Sequence, residues 1–412
     1  MKYFLFFIVS FGLPHIAWIP DKLHLQPDQI PFGVMNLFFL VSLWLWFTAK
    51  NNSTKTPSPY ISFNWFLALN IIGVGVAVIT GYEPFGQTFS IAKNQICLLL
   101  LYFIPLATIR TKKDFTVMFM ILLFVHLIVS IEVLRSGVLA GSNFNDNKRG
   151  SGPFSVSFYG SDVAGSYLAQ FILYYFAFVL NWESSKKHIM IMMFTSIVLV
   201  LSIYATYARG ALVAIMVGLI FMLGVIGFTP KNIIFVVLGV LLAVYIAPTS
   251  IDSRFDNTRA EGGEYDDSTQ GRFFYWEAAL KIIKENPLGV GTGQVRGAMQ
   301  VAIGRYVDPH NGFLYTAIEY GVLGLLVFLL FLKNLFTDCR MIYHCKEIPL
   351  IYRIYALGTG GLIGALIGCN IFYANFYKDL VLGSIMLHFG MLAYIKSNID
   401  TLQEAPNLQL EA

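Results

Sequence analysis

The sequence predicts an all-α, polytopic membrane protein of about twelve transmembrane helices, on three observations. Of 412 residues, 56% are hydrophobic and 13% charged, and the mean hydropathy is +0.65; water-soluble domains of this size do not have such a composition. Apolar runs of about 20 residues, enough to cross a bilayer, recur along almost the whole chain. Lysines and arginines gather in alternate connections between those runs. The net charge of +4 is spread over many short loops, so it makes no basic face for nucleic acid, which is not an expected partner.

In chain order the runs are roughly 3–19, 32–48, 61–80, 89–109, 115–134, 161–180, 188–207, 211–228, 232–248, 312–332, 352–372 and 379–395. The first follows a lysine but offers no small-residue cleavage site, so it reads as a retained span. Lys50 and Lys55, then Arg110, Lys112 and Lys113, then Lys186 and Lys187, then Lys231, then Lys333, Arg340, Lys346 and Arg353 fall in alternate connections. The positive-inside rule makes those connections cytoplasmic, and an even number of spans puts both termini there too. The expected division is 1–248 for spans one to nine, 249–311 for one large loop on the trans side, 312–396 for the last three spans, and a cytoplasmic tail over 397–412 that reads as polar and disordered from about Ser397. Cys97 and Cys369 lie in apolar runs while Cys339 and Cys345 flank a cytoplasmic basic loop, so no disulfide is expected. Cys339, His344 and Cys345 match no zinc spacing.

Three trans-side features stand out. The segment 141–153 is irregular by its Gly, Asn and Pro content. Tyr207-Ala208-Arg209-Gly210 is a tight turn between two apolar runs. In the long loop, Ser268 to Glu285 reads as an amphipathic helix capped by Ser268 or Thr269, with Phe273, Trp276, Leu280 and Ile283 on one face and a stop at Asn286-Pro287. Such a helix would lie on the membrane or on the bundle. The glycine run 289–293 follows no strand and reads as a plain turn, leading to a second short helix that carries Arg296.

The chemistry-bearing residues gather on that side. His310-Asn311 closes a polar loop directly before an apolar helix, and a histidine at such a boundary is a natural general base. At about 100° per residue, Gly321 returns to nearly the face of His310, where it would let a neighbouring helix pack close. Arg149, Arg209, Arg254, Arg272, Arg296 and Arg305 lie where the topology rule does not ask for positive charge. A guanidinium stays charged and holds phosphate oxygens bidentately, which suits Arg209 and Arg272 above all to a lipid-linked pyrophosphate at headgroup level. Glu319 stands inside an apolar helix and would orient the histidine or meet an arginine. Lys378 and Asp379 read as a local ion pair. Asp266 and Asp267 belong to an acidic, solvated loop. His15, His24, His126, His188, His344 and His388 are scattered without ligand spacing, so neither metal nor other cofactor is expected.

His310-Asn311, nine residues, then Gly321-Val322-Leu323-Gly324 resembles the His-Asn-x9-Gly-x-x-Gly signature of the O-antigen ligase family. The stretches 207–211, 272–280 and 286–291 resemble further blocks of the wider ligase and polymerase superfamily; Ala208 stands where many members carry serine, small in either case. The resemblance covers about residues 195–335. It implies a GT-C-like, inverting, metal-independent glycosyltransferase in the bacterial inner membrane, active on the periplasmic face. The donor would be a glycan on undecaprenyl pyrophosphate and the acceptor a lipid A–core sugar, with membrane lipids around it and a chain-length regulator or flippase as a further partner. Arg209 and Arg272 would bind the pyrophosphate, with Arg149, Arg296 and Arg305 as further substrate contacts; His310 would be the base, and Asn311, Glu319, Gly321 and Gly324 would support it. A polymerase extending the same lipid-linked glycan is the alternative; a transporter would show repeated halves, and none are visible.

Overall fold

The computed structural model describes residues 1–15, 40, 44, 59–141, 149–154, 158–181, 186–234, 236–237 and 267–404. The runs at 32–48 and 232–248 lie almost wholly outside these residues. So do Arg254, Glu261, Glu264, Asp266 and the side chain of Asp267.

The helices are α1 (Lys2–His15), α2 (Ile61–Thr80), α3 (Phe85–Leu100), α4 (Phe103–Thr108), α5 (Lys112–Ala140), α6 (Phe158–Leu180), α7 (Lys186–Thr206), α8 (Arg209–Ile226), α9 (Asp267–Glu285), α10 (Val295–Ile303), α11 (Gly312–His344), α12 (Leu350–Phe372), α13 (Asp379–Ser397) and α14 (Ile399–Glu404). No strand occurs among the described residues. Among the described residues eight stretches are long and apolar enough to cross a membrane, α3 and α4 counting as one, and α13 adds a shorter apolar helix. The protein is an all-α, multi-pass membrane protein.

Burial ranks the spans. Within the bundle lies 89% of the apolar window of α12, against 28% for α2, so α12 is the central post and α2 faces lipid. α12 packs chiefly on α8, α11 and α6. Its small residues make this possible, since helices in lipid associate by close packing: a Cβ at Gly368 would stand 2.9 Å from the Ala214 Cα of α8, and one at Gly364 would meet Phe221 at 2.7 Å.

Helix ends follow local chemistry. Thr111 and Asp114 form a capping box at the start of α5, and Lys2 reaches Asp114 at 2.6 Å. At the same end of the bundle Lys396 lies 3.0 Å from Asp338. α9 begins at Asp267, so Ser268 and Thr269 lie inside its first turn, and their side chains lie outside the described residues. Its expected apolar face divides. Ala278, Ala279 and Ile282 are buried with Ile318 of α11, Ile283 packs beside them, and Phe273 and Leu280 point outward. Alanines and isoleucines grip the bundle, and Phe273 and Leu280 are exposed. The tail also differs from expectation: 399–404 is helical, with Ile399 and Leu402 packed on the core, because two apolar residues three apart can share one helix face.

Gly321 does not receive a helix. It breaks α11, at φ +70° and ψ −177°, a conformation essentially restricted to glycine. The chain 287–291 runs alongside the break, with the Val290 N–H donating to the Ile318 carbonyl (2.8 Å), Gly291 N–H to Glu319 (3.0 Å) and Val322 N–H to Pro287 (3.2 Å). A Cβ at Gly321 would stand 2.4 Å from the Pro287 carbonyl oxygen, and one at Gly324 would meet the Tyr320 Cβ at 2.2 Å. The glycine run is therefore a structural turn. Gly291 presses on Ala77 of α2, and Glu319 closes the turn from below by accepting the Gly293 N–H at 2.7 Å.

Candidate active site

His310 is positioned by its neighbours in sequence. α10 ends at Gly304 in a left-handed cap, an extended segment follows, and His310 itself adopts φ +48°. Tyr207 (φ +53°) is the other non-glycine residue with positive φ among the described residues, and it stands two before Arg209; such conformations cost free energy and cluster where a side chain must be aimed. Asn311 then caps α11, its Oδ1 accepting the N–H groups of Phe313 and Leu314 at 2.9 and 3.0 Å. Its Nδ2 donates to the Ile371 carbonyl at 3.1 Å, tying the start of α11 to the end of α12. Gly312 fits because nothing larger would: a Cβ would stand 2.0 Å from the Asn370 Oδ1. The imidazole lies between two tyrosine rings, Tyr275 of α9 at 5.7 Å and Tyr373 after α12 at 5.9 Å between centroids.

Asp308 is the partner that sequence reading missed. Its buried carboxylate accepts the His310 N–H at 3.0 Å and faces His310 Nδ1 at 3.4 Å. The other oxygen lies 3.6 Å from the Arg296 guanidinium and 3.6 Å from Lys378 Nζ. Lys378 thus reaches into the site, and its ammonium also sits 4.9 Å from the Tyr373 ring; the Asp379 side chain, its expected partner, lies outside the described residues. Burial alone would raise the Asp308 pKa, but Lys378, His310 and Arg296 together hold it below the usual carboxylate range. Burial lowers the His310 pKa, and Asp308 opposes this while Arg272 and Lys378 add to it. The net direction is downward, so His310 is neutral at pH 7 with Asp308 ionised beside it. With Nδ1–H turned to Asp308, Nε2 carries the free lone pair.

A cationic flank stands on one side. Arg209 is the first residue of α8, at the helix end where N–H groups and dipole favour anions. Ala208, its N-cap, packs against α6: a Cβ at Gly165 would lie 2.7 Å from the Ala208 Cβ, which keeps this position small. The segment carrying Arg149 is pinned beside the same turn. Gly150 donates to the Ala205 carbonyl at 2.8 Å, and the N–H groups of Ser151 and Gly152 donate to Ser136 Oγ at 3.1 and 2.9 Å. Arg149 is buried, 3.5 Å from Asp162 at the head of α6, and burial together with the charge of Arg209 lowers its pKa against the pull of Asp162. Asp162 also acts electrostatically on His310, as does Arg272, so Arg149, Arg209, Arg272, Asp162 and His310 share one electrostatic neighbourhood.

The remaining expected residues fall elsewhere. Arg296 meets Asp308 and lies 5.9 Å from the Tyr306 ring. Arg305 donates to the Tyr275 hydroxyl at 3.3 Å. Glu319 contacts neither the histidine nor an arginine in its hydrogen bonds; it holds the Gly293 N–H and faces Gln95, being set a full two turns below the helix cap. Asn311, Gly321 and Gly324 support the site through the backbone. Among the described residues no three His, Cys, Asp or Glu side chains converge in the manner of a metal site.

Residues 194–329 match the family described as O-antigen ligase. Over 367 residues the chain is 25% identical to an O-antigen polymerase of Salmonella muenchen, covering 80% of this chain and 88% of that protein. The family match begins in α7 and ends in α11, and so takes in the Arg209 turn, α9, the glycine turn and the His310 signature. Residues 194–329 are thus similar to the O-antigen ligase family, and most of the chain is similar to an O-antigen polymerase.

Proposed function

We propose that the protein transfers a glycan from undecaprenyl pyrophosphate to a sugar hydroxyl, with inversion, at the periplasmic face of the bacterial inner membrane. The observation that carries this is a neutral, half-buried His310 held against an ionised Asp308, with arginines from separate elements gathered on one side. The acceptor hydroxyl gives its proton to His310 Nε2 as its oxygen bonds to the anomeric carbon. The bond from that carbon to the pyrophosphate oxygen breaks, and its electron pair leaves with undecaprenyl pyrophosphate. Arg209, Arg149 and Arg272 neutralise the charge that develops there. Asp308 stabilises the imidazolium formed, which then loses its proton to water, following the carboxylate–histidine logic of triads. Arg296 and Lys378 keep Asp308 ionised and so prevent it from taking the proton.

The arrangement of ends supports the membrane orientation. Lys2 with Asp114 and Lys396 with Asp338 mark one end of the bundle, while Asp308, His310, Lys378 and the Arg149 segment mark the other. On this reading the first end is cytoplasmic and 249–311 is periplasmic.

The similarity that runs through most of the chain is to a polymerase, which favours a second undecaprenyl-linked glycan as acceptor; the His-Asn signature favours a lipid A–core sugar. The test is the product. Purified protein is given labelled undecaprenyl-linked repeat units together with lipid A–core. Longer lipid-linked glycans identify a polymerase, and glycan moved to lipid A–core identifies a ligase. If neither product forms in protein shown to bind donor, the proposal fails.

A further inference from the structure

α12 and α13 are joined by a short connection that crosses the start of α11, beyond the end of the stretch that matches the family. It carries two groups of the site. The Tyr373 ring stacks on the His310 imidazole at 23° between planes, and the Lys378 ammonium lies 3.6 Å from the Asp308 carboxylate and 4.9 Å from that same ring. Lys378 returns to the site because the chain between the two folds through a 3-10 turn, Asn375–Tyr377.

The turn is fastened by Asn370, in the last turn of α12. Its side chain is buried, and a buried amide costs free energy unless both its ends are bonded. Nδ2 donates to the Leu366 carbonyl at 2.8 Å, one turn back, which leaves Oδ1 facing past the helix end, where it accepts the Phe376 N–H at 3.2 Å. The same oxygen abuts Gly312, the first residue of α11, and leaves no room there for a Cβ. One side chain thus fixes the turn and meets the helix start beside His310. On its other side the turn is held by α11. The Tyr377 hydroxyl donates to Thr316 Oγ1 at 2.8 Å, since Thr316 gives its own proton to the Gly312 carbonyl at 2.7 Å, and Phe376 packs on Phe328 at 4.7 Å between centroids.

We infer that Asn370 is a positioning residue of the site: by fastening the connection 373–378 over the start of α11, it delivers Tyr373 to the His310 ring and Lys378 to Asp308. This rests on the proposed role of His310 and adds what holds it ready. The charges that face His310 come from separate elements: Asp308 beside it, Asp162 of α6, Arg272 of α9 and Lys378, with Arg296 of α10 reaching it through Asp308. The carboxylates favour the imidazolium, and the cations oppose it. Lys378 therefore acts twice, keeping Asp308 ionised and His310 neutral. Its withdrawal leaves Asp308 held ionised by Arg296 and removes one cation from the imidazole, so the His310 pKa rises. Moving Tyr373 away lets water reach the ring and acts in the same direction. With a raised pKa, the neutral working form is lost at higher pH as pH falls.

The experiment reads His310 without substrate. Purified full-length protein in detergent is treated with diethyl pyrocarbonate, which acylates the neutral imidazole, over a series of pH values, and modification of the His310 peptide is followed by mass spectrometry. Lys378→Met and Asn370→Ser are both expected to move the midpoint of that rate to higher pH than in wild type. Thr316→Val releases the turn from its other side without touching Asn370 and is expected to do the same. In the transfer assay Asn370→Ser is expected to lower kcat about tenfold or more by misplacing the base, with the donor KM changed less than about twofold. In a protein already carrying Tyr373→Ala and Lys378→Met it is expected to lower kcat less than about twofold, because nothing is left for Asn370 to position. A midpoint that stays in place in Asn370→Ser, or in Thr316→Val where Asn370→Ser does not fold, would overturn the inference. So would an undiminished loss of kcat in the doubly substituted background, which would make Asn370 merely structural. His310→Ala is assayed alongside: transfer retained by that variant would remove the base assignment, while the midpoints would still report whether the connection sets the imidazole.

Discussion

Two histidine sites in this bundle share much of their geometry. His126 and His388 face each other at 3.0 Å between Nε2 atoms, deep among α5, α6, α12 and α13, and their Nδ1 atoms meet the hydroxyls of Tyr167 at 2.8 Å and Tyr355 at 2.9 Å. Aromatic rings stack on both, Phe171 on His126 and Tyr174 on His388. His310 likewise has tyrosine rings on two sides and a partner at Nδ1. The difference lies in the partner and the access. Neutral hydroxyls fix an imidazole but do little to stabilise an added charge in a buried site, whereas Asp308 can offset one, and His310 keeps 22% of its side chain exposed against none for His388. Aromatic packing and hydrogen bonding alone make a structural histidine; a held carboxylate and an open Nε2 make a base.

Substitutions sharpen this contrast. His310→Ala is expected to lower transfer about 10³-fold or more with little change in unfolding temperature, since loss of a general base typically costs about 10²–10⁴; donor affinity should stay near wild type. Asp308→Asn is expected to lower kcat about 10²–10⁴-fold by loss of the tautomer and of imidazolium stabilisation, with a much smaller change in donor KM. Arg209→Lys tests the opposite flank: a point charge cannot reproduce the planar fork, so donor KM should rise about tenfold while the pH dependence of transfer is retained. His388→Phe should leave kcat close to wild type and destabilise the detergent-solubilised protein by about 1–2 kcal/mol, the range for one buried hydrogen-bonded contact, read from thermal unfolding. Loss of transfer in a stable His388→Phe protein would erase the distinction between the two sites.

What the sequence made legible followed from period and chemistry. Among the described residues hydropathy located the spans because every backbone group in lipid must be paired within a helix, and the helix ending at Glu285 and the turn before Arg209 lay where composition put them. The His310 boundary was legible for the same reason. The packing partners were not. Gly321 suggested a close neighbour, but only the fold shows a loop at 287–291 lying across a broken helix. Glu319 was costly enough to draw notice, yet its partner is a backbone N–H 26 residues earlier in the chain. Asp308 stands two residues before His310 and was available to local reading. Lys378 was not, because its neighbour Asp379 offered a nearer partner than a carboxylate brought in by α11 and α12. His126 and His388 meet across 262 positions, a separation that no spacing rule spans.

The central claim is that His310, held by Asp308, is the base. Its most direct test is the pH dependence of kcat/KM for wild type and Asp308→Asn. The neutral imidazole is the working form, so activity is present above the His310 pKa and lost as pH falls through it. Because burial lowers that pKa while Asp308 raises it, the wild-type acid limb should lie below the ordinary histidine value of about 6.5, and removing the carboxylate charge should move it to still lower pH as kcat falls. An acid limb that stays in place or moves upward in Asp308→Asn, or a wild-type profile without one, would contradict the account.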